Sequence, residues 1–217
     1  MNIIKKQIKY NISKRTQAIK YIVIHDTGNK SKGADADAHF NYFNGGNRNS
    51  SADFFVDDEK ILQINDYTEY YTWQCGDGKG KYGITNSNSI GIEICVNSDG
   101  NYDKAFEKAI ELTKHLMKEL NIPAERVVRH YDASRKSCPA SMKSNNWSLW
   151  NEIKEKLTAT TPVIKIQELT TVNDIVWELA ERGIITDKNL WLKKLKEDEN
   201  SYWLARKAVN SIRGFKY

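Results

Sequence analysis

The sequence predicts an α/β domain, a mixed central β-sheet flanked by helices, followed by a small all-helical C-terminal module. Three observations carry this. Short β-branched runs alternate with helix-period segments as far as Leu157. The small, polar, proline-ended stretch Thr158-Ala-Thr-Thr-Pro162 then breaks the pattern, and only helical periodicity follows. The expected boundaries are 1–157 for the α/β domain, 158–164 for a linker and 165–217 for the helical module.

The elements follow in order. Tyr21-Ile-Val-Ile-His25 reads as a buried strand that delivers His25 to a loop, and Asp35 to Phe43 as a short helix stopped by Asn44-Gly45-Gly46. Phe54-Phe-Val56 and Ile61-Leu-Gln-Ile64 flank Asp57-Asp-Glu-Lys60, a hairpin pattern. Residues Asn65 to Ser89 are rich in turn formers and read as a long surface excursion carrying Trp73, Tyr82 and several glycines. Ile90 to Val96 forms a second apolar strand. From Asp103 to Leu120, the positions Phe106, Ile110, Thr113, Met117 and Leu120 recur as one face of an amphipathic helix. Val127-Val-Arg-His130 is a further strand with a histidine at its end, and Trp147 to Leu157 a helix. In the module, Thr171 caps a helix that ends at Arg182-Gly183, followed by helices over Asp187 to Glu197 and Ser201 to Ile212.

Composition narrows the function. The 217 residues carry 33 Lys+Arg against 28 Asp+Glu, and a net charge of +5 is too dilute for a nucleic-acid binder. No run approaches the ~20 apolar residues of a membrane-spanning helix, so no membrane insertion is expected. Three widely spaced cysteines argue against a disulfide framework and for thiols or a metal ligand. His25 and His130 both close strands, and Cys138 follows in Ser134-Arg-Lys-Ser-Cys-Pro139. Two imidazoles and a thiolate are a donor set that catalytic zinc uses, although polar loop-entry histidines and a buried small thiol account for each residue taken alone. Glu93 stands inside an apolar strand, on the face opposite Ile92 and Ile94, where an unpaired carboxylate is costly. It must meet a cation or donor, or open into a cleft.

Three blocks then carry a resemblance: Tyr21-Ile-Val-Ile-His-Asp-Thr27, Asn88-Ser-Ile-Gly-Ile-Glu-Ile-Cys95, and Arg129-His-Tyr-Asp132 with Lys136-Ser-Cys-Pro139. Over about Lys20 to Leu157 the chain resembles the zinc-dependent N-acetylmuramoyl-L-alanine amidases of type 2, which share their fold with peptidoglycan recognition proteins and occur among phage endolysins and clostridial or bacillary autolysins. The resemblance implies that His25, His130 and Cys138 hold zinc, that Glu93 is the general base and that Lys136 steadies the oxyanion. It sets Thr27, His39, Asp53, Trp73 and Gln74 on the substrate groove, Asp53 and Gln74 being departures from residues common in the family. A solvent-exposed helical position is the plain alternative for His39. Asp132 would either orient a ligand or cap local backbone.

The expected substrate is bacterial peptidoglycan, cut between N-acetylmuramic acid and L-alanine. An apolar signal core is missing from the N-terminal stretch, which fits an endolysin of clostridial type, made in the host cytoplasm and reaching the wall after membrane permeabilisation. A host autolysin and a non-catalytic wall-binding protein of the same fold are the alternatives. For the tail module the expectation is wall binding, or homodimerisation, because a small helical piece rich in Trp has much apolar surface to cover.

Overall fold

The computed structural model describes residues 1–159 and 171–213, which fall into two compact units, Met1–Ala159 and Thr160–Tyr217. Most of the expected linker, from Thr160 on, lies outside the described residues.

The first unit is built on a six-stranded mixed sheet. Its strands are β1 (Ile3–Lys5), β3 (Tyr21–Asp26), β4 (Phe54–Val56), β5 (Ile61–Gln63), β7 (Ser89–Ile94) and β8 (Val127–Arg129), in the spatial order β1-β5-β4-β7-β3-β8. Only the β4–β5 hairpin is antiparallel; β3 runs parallel to both β7 and β8. A second sheet of two strands pairs β2 (Ile12–Lys14) with β6 (Tyr70–Thr72). Strands β1, β2 and β6 carry no sequence signal, being three residues long with no sustained alternation.

Side-chain alternation gives the large sheet two different faces. Ile22, Ile24, Phe54, Val56, Ile90, Ile92 and Ile94 point to one face, where they meet helices α2 (Tyr102–Leu120) and α4 (Ser144–Thr158) through Phe106, Ile110, Leu112, Leu116, Trp150 and Ile153. Asn101 caps the start of α2 by accepting from the Lys104 amide, and Asn121 ends it in the left-handed conformation, with φ of 52°. On the opposite face, Phe55, Leu62 and Cys95 pack beside α1 (Ala36–Asn44), which Asp35 caps, while Val23 packs with Cys75, Ile84 and Ala133. His25 and Glu93 belong to this second face.

The stretch expected to be a surface excursion is held down. It contains β6, it buries Cys75 and Ile84, and Arg15 clamps it by donating to the carbonyls of Tyr67, Tyr70, Ser87 and Ser89. Asp53 completes the anchor from below. Its fully buried carboxylate accepts from Asn65 Nδ2 at 2.7 Å, Thr72 Oγ1 at 2.8 Å and the Gly91 amide at 2.8 Å, stitching β6 to β7.

The second unit, over its described residues, is a three-helix cluster of α5 (Val172–Glu181), α6 (Lys188–Glu197) and α7 (Glu199–Ile212) around Ile175, Val176, Leu179, Ile185, Leu195 and Val209. Thr171, Asp187 and Asp198 cap their N-termini.

Removing the Asp53 carboxylate strands three buried donors. Asp53→Ala is therefore expected to lower unfolding free energy by about 3 kcal/mol or more, read from the urea midpoint. A loss under about 1 kcal/mol would show that this junction does not anchor the segment.

Candidate metal centre and groove

Register assembles the site. In the β3–β7 pairing His25 lies directly opposite Glu93, and in the β3–β8 pairing Ile24 lies opposite Arg129. His130 therefore follows at the top of β8, as the first residue of the short helix α3 (His130–Ser134). The chain returns after α3 to bring in Cys138, whose carbonyl accepts from the Tyr131 amide at 2.9 Å.

The result is a compact, buried group. The donor atoms of His25, His130 and Cys138 lie within 4.8 Å of one another, and the two imidazole centroids are 4.6 Å apart. His25 Nδ1 is 3.6 Å from Cys138 Sγ and 3.8 Å from Glu93 Oε1. Two buried polar atoms of this cluster have no hydrogen-bond partner, His130 Nδ1 and Glu93 Oε2. Soft thiolate beside two imidazoles, with an orphaned ring nitrogen among them, fits a divalent metal bound through one sulfur and two nitrogens.

Electrostatics follow from burial. Desolvation brings the His25 pKa down to about 3, helped by the neighbouring His130 charge, and it lowers His130 as well. Both rings are thus held neutral, the form in which imidazole ligates metal. Burial pushes the Glu93 carboxyl up to about 8, with the Asp26 charge adding and Lys136 opposing. It also raises the Cys138 thiol. Lys136 itself is exposed.

A groove of about 520 Å³ opens beside Glu93, lined by Thr27, Lys32, His39, Tyr42 and Phe55 among others. Thr27 Oγ1 and His39 Nε2 are buried on it without partners. His39 is not a freely exposed helical residue: its ring stacks on Phe55 at 4.9 Å.

Three expected groove residues are placed elsewhere. Asp53 is fully buried beneath the sheet junction and offers no face to a substrate. Gln74 is buried too, with Oε1 2.6 Å from His25 Nε2, so it touches a candidate ligand rather than the groove. Trp73 is partly exposed, but its Nε1 donates to Ser13 Oγ on the small sheet, and it is not among the groove residues. Asp132 caps backbone, accepting from the Arg129 amide and guanidinium. The acid that meets a candidate ligand is Asp77, whose Oδ1 lies 2.8 Å from His130 Nε2. Nothing in the sequence pairs Asp77 with a histidine so distant; the only local signal is its position between Gly76 and Gly78.

The N-acetylmuramoyl-L-alanine amidase family profile matches residues 15–141. N-acetylmuramoyl-L-alanine amidase CwlH of Bacillus subtilis is 43% identical over 138 residues, covering 64% of this chain and 54% of that protein, so the chain spans about half the length of this curated relative. Among solved structures, a mutant endolysin from Bacillus subtilis superposes with a TM-score of 0.65 at 40% identity, covering 72% of this chain and 98% of that one. The catalytic domain of XlyA gives 0.63 at 38% identity, covering 72% and 99%. With a family match over more than half its length and a mixed sheet that sets His25 opposite Glu93, the chain belongs to the N-acetylmuramoyl-L-alanine amidase family.

Proposed function

We propose that the chain hydrolyses the amide between N-acetylmuramic acid and the first L-alanine of the peptidoglycan stem, as an endolysin acting on the cell wall, with zinc as its metal. The observation that carries this reading is the gathering of His25, His130 and Cys138 beside the unpartnered carboxyl of Glu93 at the mouth of a groove. The likeness to endolysin structures supports the biological role. No described helix is long and apolar enough to cross a membrane.

His25 and His130 would hold zinc through their imidazoles and Cys138 through its thiolate. Bound there, zinc supplies Lewis acidity, polarising the scissile carbonyl and bringing the pKa of water down to roughly 7. The rest falls to the chain's own groups. Burial alone keeps Glu93 largely protonated at neutral pH, while a neighbouring dication favours its carboxylate form. In that form Glu93 accepts the proton of the attacking water and returns it to the departing L-alanine nitrogen. Lys136, whose charge is felt at both Glu93 and His25, would steady the developing oxyanion. Thr27 and His39 present unpartnered polar atoms to the substrate in the groove, over the apolar surface of Phe55.

The second unit serves wall binding in this reading. Trp177 and Trp203 are exposed on it, each beneath a cationic side chain, Lys188 and Arg206. Self-association is the rival role for the same surface.

Purified walls treated with the zinc-loaded protein should release stem-peptide amines without new reducing ends; reducing ends instead would mean glycosidase chemistry. Glu93→Gln should retain the metal and lower turnover by about 10²–10⁴-fold, and near-normal turnover would reassign the base.

Zinc uptake should also release protons. His25 and His130 are neutral at pH 7, whereas the Cys138 thiol and much of Glu93 are protonated, so binding near neutrality should expel between about one and two protons and affinity should rise with pH. Calorimetry in buffers of different ionisation enthalpy reads this number directly. No release at pH 7 would remove Cys138 from the ligand set.

A further inference from the structure

Both histidines of the metal centre are met from behind by one short segment. Gln74 Oε1 faces His25 Nε2 at 2.6 Å, and Asp77 Oδ1 faces His130 Nε2 at 2.8 Å. The segment between them is pinned. Asn86 Oδ1 accepts from the backbone amides of Gln74 and Cys75 at 3.0 and 2.7 Å. Gly91 leaves room for Gln74 to cross β7, since a Cβ there would stand 3.0 Å from the Gln74 side-chain carbon and oxygen. Gly78 lets the other end lie against α3, where a Cβ would come within 2.1 Å of the Ala133 carbonyl oxygen.

Donor and acceptor roles along this path are forced. The Thr85 carbonyl can only accept, so Ser89 Oγ, 2.5 Å away, spends its one proton there. Ser89 Oγ must then accept from Gln74 at 2.7 Å, which identifies that atom as the amide nitrogen and leaves the carboxamide oxygen facing His25. An oxygen acceptor requires His25 Nε2 to carry the hydrogen, and a neutral imidazole has only one. Its Nδ1, the atom nearest Cys138 and Glu93, is left bare. The Asp77 carboxylate imposes the same choice on His130, whose Nδ1 is the orphaned atom of the cluster.

We propose that Gln74 and Asp77 are positioning residues that fix His25 and His130 as Nε2–H tautomers, so that both present Nδ1 to one shared metal ion, with Ser89 and the Thr85 carbonyl setting the orientation of Gln74. The inference rests on reading His25, His130 and Cys138 as the metal centre. It divides the support unequally: a neutral amide, locked by a serine, behind His25, and a charged carboxylate behind His130. Such partners fix ring orientation and raise ligand basicity, and their loss typically costs 10–100-fold in metal affinity.

Long-range ¹H–¹⁵N spectra of the full-length, metal-free protein distinguish the two tautomers. Both histidines should give the Nε2–H pattern in the unsubstituted chain. Gln74→Met should mix the His25 tautomers and weaken zinc binding about 10–100-fold, measured by competition with a chelator, while leaving His130 unchanged. Ser89→Ala, a milder change, should shift His25 in the same direction. Asp77→Ala should do to His130 what Gln74→Met does to His25, and Asp77→Asn, which keeps an oxygen acceptor, should recover most of the affinity. Nδ1–H in the unsubstituted protein for either ring, or unchanged tautomers and affinity in both Gln74→Met and Asp77→Ala, would overturn the proposal. Because the spectra need no metal, Nε2–H tautomers in a protein that takes up no zinc would overturn the metal-centre reading and leave the tautomer assignment standing.

Discussion

The structure depends on the register of three parallel strands. With β3 between β7 and β8, His25 stands opposite Glu93, and His130 emerges one position beyond the Arg129 that pairs with Ile24. A slip of one residue between β3 and β7 would turn His25 away from Glu93 and drive an isoleucine into the polar face, and one between β3 and β8 would carry His130 out of step with His25. The apolar face prevents this: Ile22, Ile24, Ile90, Ile92 and Ile94 are all essentially fully buried against α2 and α4. Packing on one side of the sheet thus sets the chemistry on the other.

Parallel strands buried on both faces leave little room for polar groups unless these are paired. In the amidase domain most of them are. Asp53 receives three donors, Arg15 reaches four carbonyls, and Asp26 accepts from the Ser141 amide. The unpartnered buried atoms His130 Nδ1, Glu93 Oε2, Thr27 Oγ1 and His39 Nε2 gather instead at the candidate site and its groove. Their desolvation cost is one that a metal and a substrate can offset. Labour is divided accordingly: the large sheet supplies His25 and Glu93, the α3 region supplies His130 and Cys138, and the segment after β6 supplies the acceptors behind both histidines.

Much of this was legible in the sequence because it rests on local chemistry. β3, the β4–β5 hairpin, β7 and α2 announce themselves through β-branched runs, a charged turn and a helical stripe, and the first helix of the second unit through its cap, Thr171. Glu93 is marked by its position as a lone carboxylate inside an apolar strand. Strands β1, β2 and β6 stayed hidden because no adjoining run and turn mark them as a hairpin, as they do the equally short β4 and β5, and what defines them is a partner far along the chain. Asp53 and Gln74 were set on the groove by the resemblance alone, because the partners that bury them, Gly91, Thr72, Ser89 and His25, lie elsewhere in the chain and leave no local signal. Asp77 was invisible as a partner of His130, since no spacing rule links a glycine-flanked turn to a distant strand end.

The central claim is that two imidazole nitrogens and one thiolate, far apart in sequence, share a single zinc ion. X-ray absorption at the zinc edge on the purified full-length protein tests it most directly. The account predicts one sulfur scatterer at about 2.3 Å and two imidazoles at about 2.0–2.1 Å, with the sulfur lost in Cys138→Ser. A first shell of nitrogen and oxygen alone in the unsubstituted protein would contradict it.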